Sequence, residues 1–182
     1  MTQMILYLSE LLEQVEQPTL ATLYVDFEKP FDKVCHEKLL EKLLTYGIKG
    51  GLFKLIESYL LDRKQRVQVG NALSSERQVK SGVPQGSVLG PLFFNVFIND
   101  LPKTVMSNCY GYADDYKIDV TNAVTLQLDA ARVWKWCNAN LMKLNINKSK
   151  VLNLKGNCKL FINTSPNIQT ARKILALLSP EN

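Results

Sequence analysis

At 182 residues, 46% of them apolar, the chain is long enough for one buried core, as one domain or one domain plus a fragment. No apolar run approaches the roughly 18 residues of a membrane-spanning helix, and no Lys or Arg stands between Met1 and Lys29. Neither a membrane span nor a secretory leader is therefore expected, and an intracellular setting is, with nucleus and cytoplasm not distinguished. The net charge of +5 is uneven, with nine Lys or Arg and no Asp or Glu from Ala130 to Pro180, which suits either a polyanionic partner or a solvated basic surface.

In chain order, Ile5 to Val15 reads as an amphipathic helix with Leu8, Leu11, Leu12 and Val15 on one stripe, ended by Pro18. A strand follows from Leu20 to Phe27. Two helices, His36 to Tyr46 and Leu52 to Leu61, are separated by Gly47, Gly50 and Gly51. Alternation at Arg66 to Val69 and Arg77 to Val79 predicts a short hairpin around Asn71. The segment from about Ser87 to Ile98 is apolar on nearly all sides, through Leu89, Leu92, Phe93, Val96 and Phe97, and is expected as the central buried helix. Asn108 to Val120 reads as a second hairpin, Val124 to Asn140 as a helix, and Leu144 to Leu154 and Lys159 to Ile162 as strands. Cys35, Cys109, Cys137 and Cys158 show no paired spacing and are read as buried or incidental thiols.

Chemistry enters at the first strand, where alternation sets Ala21, Leu23, Val25 and Phe27 on one face and Asp26 on the other with Thr22 and Tyr24. A carboxylate there needs water, a counter-charge or a metal. Tyr110 to Tyr116 places Asp114 and Asp115 where a two-residue hairpin turn fits, so the acids suit a turn as well as a ligand set. Adjacent carboxylates repel and gain from a divalent cation, and hard oxygen ligands suit Mg²⁺. If Asp26 and the 114–115 turn lie on neighbouring strands, the three acids can hold two metals for phosphoryl transfer.

Three segments, Asp26-Phe27-Glu28-Lys29-Pro30-Phe31-Asp32-Lys33-Val34, Ser81-Gly82-Val83-Pro84-Gln85-Gly86-Ser87-Val88-Leu89-Gly90-Pro91 and Tyr112-Ala113-Asp114-Asp115, resemble in order and spacing three successive motifs of reverse transcriptases. The resemblance runs from about Leu23 to Leu154. Through Phe97-Ile98-Asn99-Asp100-Leu101-Pro102 it is similar to the Jockey-like and related retrotransposon enzymes without long terminal repeats. It implies an α+β fold, the polymerase palm, with an antiparallel sheet and helices packed on one face. Residues 20–155 would be the palm, 1–19 a partial fingers remnant and 156–182 a partial thumb remnant or tail. Most of the fingers and thumb would lie outside this sequence, since 25 residues precede Asp26 and 28 follow Leu154.

By the same resemblance, Asp26, Asp114 and Asp115 would be catalytic ligands of Mg²⁺ or Mn²⁺. Lys148, in Leu144-Asn145-Ile146-Asn147-Lys148-Ser149-Lys150, would donate a proton to the leaving pyrophosphate, or stand as a solvated lysine. Phe27, Phe31, Gln85 and Gly86 would contact the nucleotide. Phe31 would block a ribose 2′-hydroxyl or pack in a core, and Gln85 would lie against nucleotide and template. The partners implied are an RNA template, a DNA primer and deoxynucleoside triphosphates, with no protein partner and no membrane. Pro30 stands where the family usually has Ala, in a turn whose N–H groups cradle phosphate. Proline has no N–H and biases Lys29 toward an extended conformation. His36 is read as structural, Trp134 as core, and Trp136 as core or a stacking surface. Three functions remain open: an RNA-directed DNA polymerase palm, a catalytically silent nucleic-acid-binding relic, and a divalent-metal nuclease or phosphohydrolase.

Overall fold

The computed structural model describes residues 2–17 and 19–156. Its elements are α1 (Thr2–Glu13), β1 (Leu20–Val25), α2 (Pro30–Lys33), α3 (His36–Thr45), α4 (Gly50–Leu60), β2 (Lys64–Gln65), β3 (Gln68–Val69), β4 (Ala72–Leu73), β5 (Arg77–Gln78), α5 (Leu89–Ile98), β6 (Asn108–Tyr112), β7 (Asp115–Val120), α6 (Ala123–Ala139) and β8 (Lys150–Lys155). They form two compact units. The first takes the described parts of Met1–Asp26, Leu101–Trp136 and Leu144–Asn182, and the second takes Phe27–Asp100 and Cys137–Lys143. Cys158, the strand expected at Lys159–Ile162 and the 156–182 segment beyond Gly156 lie outside the described residues.

The first unit is built on an antiparallel sheet in the order β6-β7-β1-β8. Register sets Ala21 opposite Val120, Leu23 opposite Ile118 and Val25 opposite Tyr116, and all six are buried. Side chains the size of Leu23, Val25, Ile118 and Val120 each contribute roughly 1.5–3 kcal/mol when withdrawn from water. The other face pairs Thr22 with Asp119 and Tyr24 with Lys117. Here α1 docks through Tyr7, whose ring meets Tyr110 edge-on at 5.2 Å and carries the Lys117 ammonium 4.5 Å from its centroid. Glu10 accepts hydrogen bonds from the Tyr110 hydroxyl and the Asn108 amide. Of the stripe expected on α1, Leu8 and Leu12 are exposed, while Tyr7 is buried. A sheet face of Thr, Asp, Lys and Tyr is matched by amphipathic Tyr7 and Glu10.

Asp119 is only 3% exposed, with one carboxylate oxygen accepting from the Thr22 hydroxyl at 2.6 Å and the other unpartnered. Burial raises its pKa above 3.8, Glu10 adds to the rise, and the Thr22 bond and Lys117 oppose it. A carboxyl held higher in the folded than in the unfolded chain costs nothing below its unfolded value and progressively more as pH rises through its folded value. Asp119→Asn keeps the Thr22 acceptor and removes the charge. Its melting temperature is expected a few degrees above wild type at pH 7, with the gap closing on acidification to pH 3.8. Equal melting temperatures at pH 7 contradict the assignment.

In the second unit, α3 buries His36, Leu39, Leu40 and Leu43, and α5 buries Gly90, Phe93, Phe94, Phe97 and Ile98. The two helices pack against each other. Contrary to the expectation of all-round burial, Leu89 and Leu92 of α5 are exposed. The buried set follows the i, i+3, i+4 stripe of a one-sided helix, and Leu89 and Leu92 fall off that stripe. The predicted hairpin forms two short ladders, β2 with β5 and β3 with β4, around the Gly70-Asn71 turn. Burial pushes the thiols of Cys109, in the first unit, and Cys137, in the second, up to about 12, which makes both inert nucleophiles at neutral pH.

One strand is shorter than its sequence predicts. Leu144 to Leu154 gives a strand only from Lys150, because 145–149 closes into a turn. The Asn145 carbonyl accepts from the N–H groups of Lys148 and Ser149 at 3.1 and 2.9 Å, and the Asn145 side chain also reaches the Lys148 N–H at 3.3 Å. Local bonding by asparagine thus competes with the ladder and wins.

Candidate active site

The acids lie in the first unit at one end of its sheet. The last β1–β7 pair is Val25 with Tyr116, so Asp26 and Asp115 each stand one residue beyond that pair on neighbouring strands. Both share the side-chain parity of Tyr24 and Lys117 and belong to the same face. Asp115 pairs with Tyr112 across the hairpin, leaving Ala113 and Asp114 as its two-residue loop. The turn therefore falls one residue earlier than an Asp114-Asp115 turn, because Asp115 already belongs to the ladder. Ala113 is left-handed at φ 53°. A positive φ at the first loop residue matches the right-handed twist of the flanking strands, although it costs an alanine about 1 kcal/mol. Gly111 is required behind this loop, since a Cβ there would lie 2.5 Å from the Tyr116 ring.

The 145–149 turn holds the main chain of Asp26 from both sides. The Asp26 N–H donates to the Ser149 hydroxyl at 3.1 Å, the Asn145 N–H donates to the Asp26 carbonyl at 2.9 Å, and the Ser149 hydroxyl donates to the Asn145 carbonyl at 2.9 Å. Lys148, exposed, sits within that turn. Lys150 pairs with Tyr24 and so joins Lys117 on the acid-bearing face. The motif around Asn145 singled out Lys148 alone. Ser149 and Asn145, which position Asp26, were missed because hydroxyls and amides in a polar run carry no distinguishing pattern.

As a donor set, three carboxylates on strand ends and a hairpin loop offer only hard oxygens, which fits Mg²⁺ or Mn²⁺ and no softer ion. Asp26 and Asp114 are half-buried and Asp115 is exposed. Register brings the main chains of Asp26 and Asp115 to adjacent strand ends, with Asp114 in the loop beside them. Among the described residues, however, no three His, Cys, Asp or Glu side chains are gathered closely enough to hold an ion.

The nucleotide-contacting candidates lie in the second unit. Phe31 is half-buried and stacked on Phe94 at 4.4 Å between centroids. Phe27 is 4% exposed, so any contact it makes with a ligand runs through its main chain. Gly86 and Gln85 are exposed in a loop where Gly86 has φ +77° and open space around its α-carbon. Pro30 is buried at the first position of α2, and Lys29 before it is left-handed at φ 47°. This corrects the extended conformation expected for Lys29. Its carbonyl accepts from the N–H groups of Asp32 and Lys33, which a left-handed entry into the short helix allows. His36 is structural, its Nε2 lying 2.8 Å from the Gly82 carbonyl. Trp136 is buried, and Trp134 is half-buried with its indole N–H unpartnered.

A family model described as reverse transcriptase (RNA-dependent DNA polymerase) matches residues 5–175. A probable RNA-directed DNA polymerase from transposon BS of Drosophila melanogaster is 33% identical over 143 residues, covering 69% of this chain and 15% of the relative. The RNA-directed DNA polymerase from the mobile element jockey of Drosophila funebris is 33% identical over 162 residues, covering 79% of this chain and 17% of the relative. The chain thus spans about a sixth of these relatives. Among solved structures, apo telomerase from Candida tropicalis aligns with a TM-score of 0.65 at 14% identity, over 87% of this chain and 35% of that one. The same enzyme with a fragment of telomeric RNA gives 0.64 over 88% and 30%. The α+β fold, with its antiparallel palm-like sheet, is that of these polymerases.

Proposed function

Because the chain belongs to the reverse transcriptase family, we propose that it is the palm of an RNA-directed DNA polymerase that transfers deoxynucleotides to a primer 3′-hydroxyl. The observation that carries this reading is the placement of Asp26 and Asp115 at the ends of adjacent strands on one sheet face, beside the Asp114 loop. Asp26, Asp114 and Asp115 would hold Mg²⁺ or Mn²⁺, which when bound would activate the primer hydroxyl and offset charge on the departing phosphate. The chain's own residues position these parts. Ser149 and Asn145 fix the Asp26 main chain, while Lys117, Lys148 and Lys150 supply positive charge toward phosphate. Phe31, held by Phe94, restricts the sugar, and Gln85 with Gly86 meets nucleotide and template. The RNA template, DNA primer and deoxynucleoside triphosphates are the partners, and the setting is intracellular.

The test is primer extension by the 182-residue chain on an RNA template with Mg²⁺ and either deoxy- or ribonucleotides. Incorporation of deoxynucleotides in preference to ribonucleotides is expected. Salt-sensitive nucleic-acid binding without incorporation identifies a binding relic, and degradation of the template without incorporation identifies a nuclease. A smaller test addresses the brace. Ser149→Ala removes the acceptor of the Asp26 N–H, and loss of such outer support weakens Mn²⁺ binding by about tenfold or more. Unchanged Mn²⁺ affinity means the turn does not position Asp26.

A further inference from the structure

We infer that Asp32 is a positioning residue that fixes which way the Gln85 amide faces, and thereby sets how tightly the second unit holds a nucleotide. The Gln85 side-chain NH₂ donates to the Asp32 carboxylate at 2.9 Å. An ionised carboxylate only accepts, so it selects the NH₂ end of the amide and leaves the Gln85 carbonyl oxygen, with one remaining N–H, turned to the ligand. Without Asp32 an exposed glutamine rotates freely and presents oxygen and nitrogen alternately.

The orientation is preset because Asp32 is itself held through its main chain. Its carbonyl accepts from the Ser81 hydroxyl at 3.0 Å, and its N–H donates to the Lys29 carbonyl at 3.0 Å. Ladder-like bonds then tie the two loops on either side. The Val83 N–H reaches the Phe31 carbonyl at 2.9 Å, and the Gly82 N–H reaches the Val34 carbonyl at 2.8 Å. Gly82 closes the contact, lying so near that a Cβ would stand 2.9 Å from the Asp32 α-carbon. Phe31, Asp32 and Val34 are thus locked against Ser81, Gly82 and Val83 in one rigid corner, with the Asp32 carboxylate and the Gln85 amide projecting from it. A charge-assisted bond between exposed groups is worth little as stability, yet from a fixed base it is sufficient to choose between two amide orientations.

The inference rests on the polymerase reading only for the identity of the ligand, so two measurements are made on the 182-residue chain. In the first, titration with a deoxynucleoside triphosphate and Mg²⁺ compares wild type, Asp32→Ala, Asp32→Asn, Gln85→Ala and the Asp32→Ala/Gln85→Ala double variant. Asp32→Ala is expected to weaken binding by about tenfold, the loss of one oriented hydrogen bond. Asp32→Asn, which can bond the amide in either sense, falls between it and wild type. The double variant binds no more weakly than Gln85→Ala alone. A merely structural Asp32 would lower affinity in the Gln85→Ala background as well, and that result, or equal affinity of Asp32→Ala and wild type, overturns the proposal. In the second measurement, the Gln85 side-chain amide protons are followed by nuclear magnetic resonance. They are expected well separated in wild type and at free-amide positions in Asp32→Ala, and an unchanged spectrum overturns the orientation itself. If wild type binds no nucleotide, the polymerase reading fails while the amide spectrum still decides the Asp32 assignment.

Discussion

Asp114→Asn is expected to lower deoxynucleotide incorporation by about a thousandfold while leaving thermal unfolding within experimental error of wild type. The substitution preserves shape at a loop position but exchanges a charged hard ligand for a neutral amide. A bound divalent ion supplies several kcal/mol of charge stabilisation at the transition state, and a loss of about 4 kcal/mol corresponds to about a thousandfold in rate. Asp114 occupies the hairpin loop rather than a ladder position, so no strand register depends on it. Primer extension alongside calorimetry checks both halves. A variant retaining more than a tenth of wild-type incorporation shows that Asp114 is not a ligand.

Gly82→Ala is expected to destabilise the chain by about 3 kcal/mol, a large share of the roughly 5–15 kcal/mol that holds a domain folded. Two costs add at this residue. Its φ of +91° strains any L side chain, and the new Cβ would meet the Asp32 main chain at 2.9 Å, where no flexible group is able to give way. The Gly82 carbonyl also carries the His36 contact, so displacement spreads to the start of α3. Gly86→Ala is the control, because that residue shares the positive φ of +77° but has open space around it. It should cost about 1 kcal/mol, the backbone term alone. Denaturant midpoints for the two variants measure the difference. Equal midpoints mean that the two loops do not approach as closely as Gly82 requires.

Much of this arrangement is legible in the residues, and the limits have physical causes. The β1 alternation groups Asp26 with Thr22 and Tyr24, because Ala21, Leu23 and Val25 are anchored on the other face by buried partners across the sheet. The acid-bearing hairpin is legible from its turn chemistry. Its register slips by one because Ala113 gives no warning of a left-handed conformation that glycine or asparagine would advertise. The docking of Tyr7 and Glu10 is not legible in α1, because leucine spacing identifies a helical stripe but not the polarity of the surface that a helix meets. Here the receiving face is polar, and Tyr7 and Glu10 dock on it. Residues that act by holding others carry no signature of their own. Ser149, Asn145 and Asp32 become visible only when hydrogen bonds join positions 123, 119 and 53 residues apart, from Asp26 to Ser149, from Asn145 to Asp26 and from Gln85 to Asp32.

The proposed chemistry requires a divalent ion to be shared between Asp26, just past the end of β1, and the β6–β7 hairpin. Titrating Mn²⁺ into ¹⁵N-labelled chain and following amide line widths tests this directly, since the paramagnetic ion broadens only resonances near it. Concerted broadening of Asp26, Asp114 and Asp115 at the same Mn²⁺ concentration, reversed by excess Mg²⁺, is the predicted result. Broadening at 114–115 with Asp26 left sharp would show that the strands do not share an ion, and the proposed chemistry would have no centre.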